Sequence, residues 1–436
     1  MTPEDINSIT LFGLCSTVLL GILTLILPRR SAFLPIIIAA CYITQGQQVV
    51  VASLHFTIIR ILILFACARL IIRREISTIK FNSIDKTLIL WVISGFIIYT
   101  LSRWTLEAFI NRLGFAFDAI GLYFIFRFLI KDLNEINVII KKMAIIIVPL
   151  GLAMLFEKYT GKNIFSIFGG IPADTIIDLD GRLRCQGAFR NPILAGTFGA
   201  TWAPLLISLW WKKGADRLVA SIGFIGATII MLTAESSGPL LAYITGIIGL
   251  AVWPLRNHMR VLRWGILFAV ISLHLIMKTP VWFLISRLSY LTGGHGWHRS
   301  YLIDQAIAHF NEWWLFGTNY TAHWMPNSLA VDLNRADITN QYIAEGISGG
   351  LVTMILFIAI IIYCFKSLGW TLRANQDQPK VNRITLWAMG SSLGSHVVVF
   401  FSIAYFDQII VFWYLLLAMI ATISVKITNE HTPAAF

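Results

Sequence analysis

Long apolar runs, cut by short polar connections, fill most of this chain. Runs of about 17 to 22 residues recur from one end to the other, each long enough to cross ~30 Å of hydrocarbon as a helix. Counting them gives about thirteen spans, beginning near Ile9, Phe33, Thr57, Thr87, Phe109, Met143, Asn191, Leu218, Pro239, Val261, Gly349, Ile384 and Gln408. The second is short and contains Pro35, and the fifth and sixth carry Asp118, Arg127 and Glu157. The short alternating strands of a transmembrane barrel are missing. The pattern predicts an all-α polytopic membrane protein of about 12–13 transmembrane helices, a single integral membrane domain over residues 1–436.

Two connections are too long to be turns: residues 158–190 and residues 278–345. Long connections of this kind carry function or lack order. The second is rich in Trp, Tyr and His, and its stretch "HRSYLIDQAIAHFNEWW" has helical spacing, so a helix lying over the membrane surface is expected there. Short connections alternate in charge. One set carries Arg29 and Arg30; Arg73, Arg74 and Lys80; Lys131, Lys141 and Lys142; Lys212, Lys213 and Arg217; Arg256, Arg260 and Arg263; and Lys366, Arg373, Lys380 and Arg383. The other set, "TQGQQ", "AESSG" and "AYFDQ", carries no Lys or Arg. Basic connections stay on the cytoplasmic side, which sends the N-terminus and both long connections to the outer face and Lys426 to the inner one.

Composition agrees. The 436 residues are 57% hydrophobic and only 13% charged, with mean hydropathy +0.75, so the two or three soluble domains that length alone suggests are excluded. The net charge of +12 is carried largely by the inner connections and gives no reason to expect nucleic acid. Of the five cysteines, four (Cys15, Cys41, Cys67 and Cys364) lie in apolar runs and only Cys185 lies in an outer connection. No disulfide framework and no Cys/His zinc spacing follows. The opening "MTPEDINS" has acids and no basic region, an expectation against a cleaved signal peptide. No internal repeat or low-complexity tract is visible.

The chemistry-bearing residues gather at the ends of the long connections. "GRLRCQGAFRNP" places Arg182, Arg184 and Arg190 just before a span, with Asn191 as a helix cap and Pro192 in the first turn. A helix start with adjacent arginines suits an anion such as a lipid phosphate or diphosphate. The plainer reading is anchorage to headgroups. In the second connection, glycines 293, 294 and 296 suggest a bend returning Arg299 toward the membrane, with Arg287 nearby. His295, His298, His309 and His323 are spaced too irregularly to predict a metal set. His323, in "NYTAHWMPN", is the preferred candidate base among them. Asp337, Asn340, Gln341 and Glu345 fall within nine residues. On a helix, Asp337 and Gln341 share a face, as do Gln341 and Glu345, and such a polar helix end would position an acceptor hydroxyl; as a helix cap the acids would be solvated. Arg60, near an outer span end, is a candidate for the same cavity as Arg190. Arg69, Asp118, Glu157, Glu235, His396 and Asp407 are read as further polar groups inside spans, with Asp118 suited either to pairing with a neighbouring cation or to catalysis. "ESSGPLLAYITG" reads as a small-residue packing segment.

At these residues the chain resembles the O-antigen ligase and O-antigen polymerase family of bacterial surface-polysaccharide enzymes. The layout is similar: about a dozen spans with one large outer loop before the last few. "RLRCQGAFRNPILAG" is similar to the family's Arg…Gly…Asn-Pro lead into a span, and "AESSGPLLA" to its Ser-Arg-Gly segment, with Ser237 in place of Arg. "HRSYLIDQAIAHFNEWWLFGTN" is similar to its Arg-x-x-x-Trp…Leu-x-Gly stretch. "TNQYIAEGISGGL" is similar to its His-Asn-x-Tyr-Leu…Gly-x-x-Gly stretch, with Thr339 in place of His. Together these cover roughly Arg182 to Leu351; the first half matches by hydropathy only.

The resemblance implies metal-independent glycosyl transfer at the periplasmic face of the bacterial inner membrane, without a cofactor. The donor would be a polyprenyl-diphosphate-linked glycan. The acceptor would be a hydroxyl of lipid A core or of another glycan, and other polysaccharide-assembly membrane proteins are possible partners. Arg190 and Arg299 would hold the diphosphate, with Arg184, Arg182, Arg287 and Arg60 around them. Thr339 leaves the base to Asp337, Glu345 or His323, with Asn340 orienting the acceptor. The rivals are a transporter or flippase of lipid-linked sugars, which would favour an inverted repeat, and a membrane scaffold.

Overall fold

The computed structural model describes residues 9–51, 54–76, 79–178, 181–212, 214–291, 296–326 and 334–430. His295, Gly293 and Gly294 lie outside them. The described chain is overwhelmingly helical. It opens with α1 (Leu11–Ile26), α2 (Leu34–Tyr42), a hairpin of β1 (Gln48–Val51) and β2 (Leu54–Thr57), and α3 (Ile58–Ile72). Then come α4 (Ser83–Arg103), α5 (Leu106–Leu129) and α6 (Leu133–Thr160). A two-residue ladder, β3 (Ile176–Ile177) with β4 (Leu183–Arg184), precedes α7 (Pro192–Ser208), α8 (Ala215–Thr233), α9 (Ser237–Ala251) and α10 (Met259–Ile276). Short helices α11 (Leu284–Leu291), α12 (Trp297–Ala308) and α13 (Phe310–Trp313) lead to α14 (Gln341–Ala374), α15 (Lys380–Val399) and α16 (Ile409–Glu430).

Every predicted span corresponds to a helix. Seven helical segments of the described residues are long and apolar enough to cross a membrane, those at 83–103, 106–129, 133–160, 192–211, 215–233, 253–276 and 341–374. The apolar helices α1 and α9, and the stretch Ile409–Ser424 of α16, are shorter. At nine residues, α2 reaches only ~14 Å at 1.5 Å per residue. Polar residues, above all Asn382 and Arg383 in its first turns, keep α15 from being counted with the seven. The apolar runs were longer than the helices because they continued through caps and turns. Glu235 and Asp407, expected inside spans, instead occupy the turns before α9 and α16, both with positive φ.

Packing centres on α7, whose residues are nearly all buried. It sits among α8, α9 and α15, with α6 against α8 and α14 against α4. These contacts depend on small residues, as helix association in lipid does. A Cβ on Gly199 would come within 2.5 Å of the Ala227 carbonyl, and one on Gly223 within 2.6 Å of the Ala144 Cβ. At the other extreme, α10 has no buried residue.

A break in α14 receives the described part of the connection that follows α13. Gly350 has φ 69° and ψ −175°, a conformation essentially closed to other residues. The break frees backbone groups that the connection then takes: Leu351 N–H donates to Trp314 O at 2.7 Å and Thr318 N–H to Ile347 O at 3.0 Å. A small second core of Leu302, Ala306, Trp313, Trp324, Met325 and Ile343 lies here. The helical spacing of this stretch is realised as α12 and α13.

Candidate functional site

The two long connections meet above the start of α9. The first is held from below by α6. Glu157 accepts from the amides of Gln186 (3.2 Å) and Gly187 (2.9 Å), and Lys158 Nζ donates to Leu183 O at 2.8 Å while pairing with Glu235 at 3.0 Å. This tethering presents Arg184. Its Nη2 donates to Ser236 Oγ at 2.8 Å, and its Nε is buried without a hydrogen-bond partner. From the second connection, α12 presents Arg299, whose Nη1 donates to Ser237 Oγ at 2.9 Å and Ser289 Oγ at 3.4 Å. Because Ser236 and Ser237 are consecutive, the two guanidiniums become neighbours. "ESSGPLLAYITG" is therefore more than a packing segment, since its two serines receive the arginines.

Among the described residues, neither arginine forms an ion pair with a carboxylate. Burial, and then the neighbouring Arg184 charge, lowers the Arg299 guanidinium to about 10. Burial also lowers Arg184, against the opposing pull of Asp178 and Glu235. Two half-buried cations that repel each other and touch only hydroxyls form a site short of an anion.

Beside them stands His298. Its Nδ1 lies 3.2 Å from Thr339 Oγ1, and its Nε2 is buried with no hydrogen-bond partner. Burial holds the imidazole below its usual pKa, opposed by Asp337 and aided by Arg299, so it is neutral near pH 7. In the tautomer that donates from Nδ1 to Thr339, Nε2 presents a free lone pair, as a base requires.

The remaining expected site residues fall elsewhere. Arg190 stands at the start of α7, where Asn191 Oδ1 caps Ile193 N–H at 2.8 Å and Pro192 follows, as the sequence predicts. But Arg190 is 55% exposed and pairs with Asp407 at 3.4 Å. Arg60 is committed to Asp118 through Nε (3.0 and 3.1 Å) and Nη2 (2.8 Å). Asp407 feels both Asp118 and Arg60 electrostatically, so Arg60 and Arg190 do share one neighbourhood. Arg182 sits in the turn joining β3 and β4, with its amide donating to Asp178 Oδ1 at 2.9 Å. Arg287 is exposed on α11, and among the described residues no hydrogen bond joins it to the Arg184–Arg299 pair.

Asp337 is exposed and precedes α14, so it shares no helix face with Gln341. The helix starts only at Gln341, because Asn340 is its cap, accepting from Ile343 N–H at 3.2 Å. Glu345 is buried between Trp91 Nε1 (2.9 Å) and Gln341 Nε2 (2.7 Å), a packed position away from solvent. His323 is turned toward Glu312, with Nε2 at 3.1 Å, and no contact joins it to the arginines. Sequence reasoning preferred it to His298. The signal that would have reversed the choice is the adjacency of His298 to Arg299 on one helix. No protein-family model and no curated protein matches this chain.

Proposed function

We propose that this protein transfers a glycan from a polyprenyl-diphosphate-linked donor to an acceptor hydroxyl at the outer face of a bacterial inner membrane. The observation that carries this reading is the Arg184–Arg299 pair, two adjacent half-buried guanidiniums held by serine hydroxyls without a carboxylate partner. Breaking a sugar–diphosphate bond builds negative charge on the departing oxygen. Preorganised cations stabilise that charge more than they stabilise the bound donor. His298 Nε2 takes the proton of the acceptor hydroxyl as its oxygen attacks the anomeric carbon, and the diphosphate leaves with the bonding electrons toward the arginines.

Both departures from the resembled family support this assignment. Ser237 stands where that family has Arg, and Thr339 where it has His. These side chains are touched by Arg299 and His298, respectively. Two consecutive residues of α12 thus offer a guanidinium and an imidazole at the two positions that lost them.

The test uses purified full-length protein in detergent, lipid-linked glycan, and neither ATP nor an ion gradient. Turnover is expected from the wild type and is lost in Arg299→Ala and Arg184→Ala variants that remain folded. A folded wild type without turnover, or variants at the wild-type rate, would sink the reading. Movement of donor across vesicles without any new glycosidic bond would favour the transporter.

A further inference from the structure

The fold assembles a second constellation that the sequence spacing did not predict. We propose that His309, Glu312 and His323 form a metal site for a zinc-class divalent ion, clamping the connection between α10 and α14. His309 Nδ1 lies 2.8 Å from Glu312 Oε1, and His323 Nε2 lies 3.1 Å from the same carboxylate. The three donor atoms all fall within 4.8 Å of one another. Two imidazoles and one carboxylate are a zinc donor set that leaves a fourth position open to water. Ligands about 2.1 Å from a tetrahedral ion stand about 3.4 Å apart, so the ion requires one separation to shorten and two to lengthen slightly. These side chains, 29–37% exposed, have room for that adjustment.

The surroundings are built as an outer shell around such an ion. Trp324 Nε1 donates to Glu312 Oε2 at 3.0 Å, which fixes the carboxylate and leaves Oε1 facing the imidazoles. The ring of His309 stacks on Trp324 with 5.8 Å between centroids and 10° between planes. The ring of His323 stacks on Tyr320 at 4.8 Å and 14°. Both imidazoles are thereby held with one nitrogen aimed at the same point. Two donors flank the start of α13, and the third comes from the turn at residues 322–324, across the loop. An ion here ties that turn to α13 and closes the small core around Trp313 and Trp324. Among the described residues no contact joins it to the arginine pair, so the inference does not depend on the proposed transfer.

The experiment uses full-length protein in detergent, purified without a polyhistidine tag, stripped with EDTA and returned to excess Zn²⁺ alone. After gel filtration, about one zinc per chain is expected, together with a rise in melting temperature. Glu312→Gln and His323→Gln should fall at least ~10-fold in retained zinc, and Trp324→Phe should bind ~10- to 100-fold more weakly. Each variant is checked against the melting temperature of stripped wild type. If both ligand variants prove misfolded, Co²⁺ bound to the wild type decides, since tetrahedral nitrogen–oxygen ligation gives strong visible bands. Wild type that retains no zinc and gives no cobalt bands, or folded variants that bind like wild type, would overturn the proposal and leave a hydrogen-bonded clasp.

Discussion

Arg60 and Arg299 meet the same physical problem with different partners. Each is a guanidinium removed from bulk water, where an uncompensated charge is costly. Arg60 is answered within the protein, by three contacts of 3.1 Å or less to Asp118. Among the described residues, Arg299 is answered by the Ser237 and Ser289 hydroxyls, and its nearest charged influence is another arginine. The first arrangement is complete and holds α3 against α5. The second has no carboxylate partner among the described residues. An arginine's role is thus set by what faces it, and the unpaired pair is where chemistry is expected.

The largest effect should come from breaking the completed pair. Asp118→Asn leaves Arg60 without its counter-charge, a change that costs ~3–5 kcal/mol when the pair is buried. With Arg60 at 22% exposure, the low end, about 3 kcal/mol, is expected, read as a lower melting temperature in detergent. Replacing both residues, as Arg60→Met with Asp118→Leu, should recover most of that loss while leaving transfer per folded molecule unchanged. Arg299→Ala should do the reverse. Relieved of repulsion from Arg184, the protein should melt at or above the wild-type temperature while transfer falls ~10²- to 10³-fold, as when one transition-state donor is removed. If Arg299→Ala instead unfolds the protein, the pair is structural and the contrast fails.

Next comes the base. With burial holding His298 below its usual pKa, it is neutral at pH 7 and gains a proton only on acidification below the ordinary imidazole range. Transfer should therefore be flat above neutrality and decline on acidification. His298→Gln should lower the rate ~10²-fold or more and remove that acid limb. A His298→Gln variant with an unchanged pH profile would return the proposed base to Asp337 or another group.

These differences also show how far the sequence could be read. The helix start at Asn191–Pro192, the helicity of α12 and the helical architecture follow from local rules of capping, periodicity and hydropathy, and they are found where expected. What periodicity could not reach was pairing across the chain. Nothing local says that Asp118 lies opposite Arg60, 58 residues away, or that the break at Gly350 receives the Trp314 carbonyl. Asp337 was misplaced for a related reason: a polar run before a helix reads as its first turn until the cap is known. His298 was passed over because its value lies in Thr339, 41 residues away.

The smallest effect, and the sharpest division between the two arginine classes, belongs to Arg190. It has the location of an anion ligand, at the start of α7, where free amides and the helix dipole favour negative charge. It has the environment of a surface pair, 55% exposed and 3.4 Å from Asp407. Location predicts that Arg190→Ala matches Arg299→Ala; environment predicts far less, since exposed pairs contribute ~0–1 kcal/mol. We expect environment to prevail, with the melting temperature nearly unchanged and transfer reduced less than ~10-fold, equivalent to under ~1.4 kcal/mol. Assaying Arg190→Ala beside Arg299→Ala under one set of conditions decides the matter. Equal losses would move the anion to the α7 start and draw Asp407 into the site, whereas unequal losses keep it between Arg184 and Arg299.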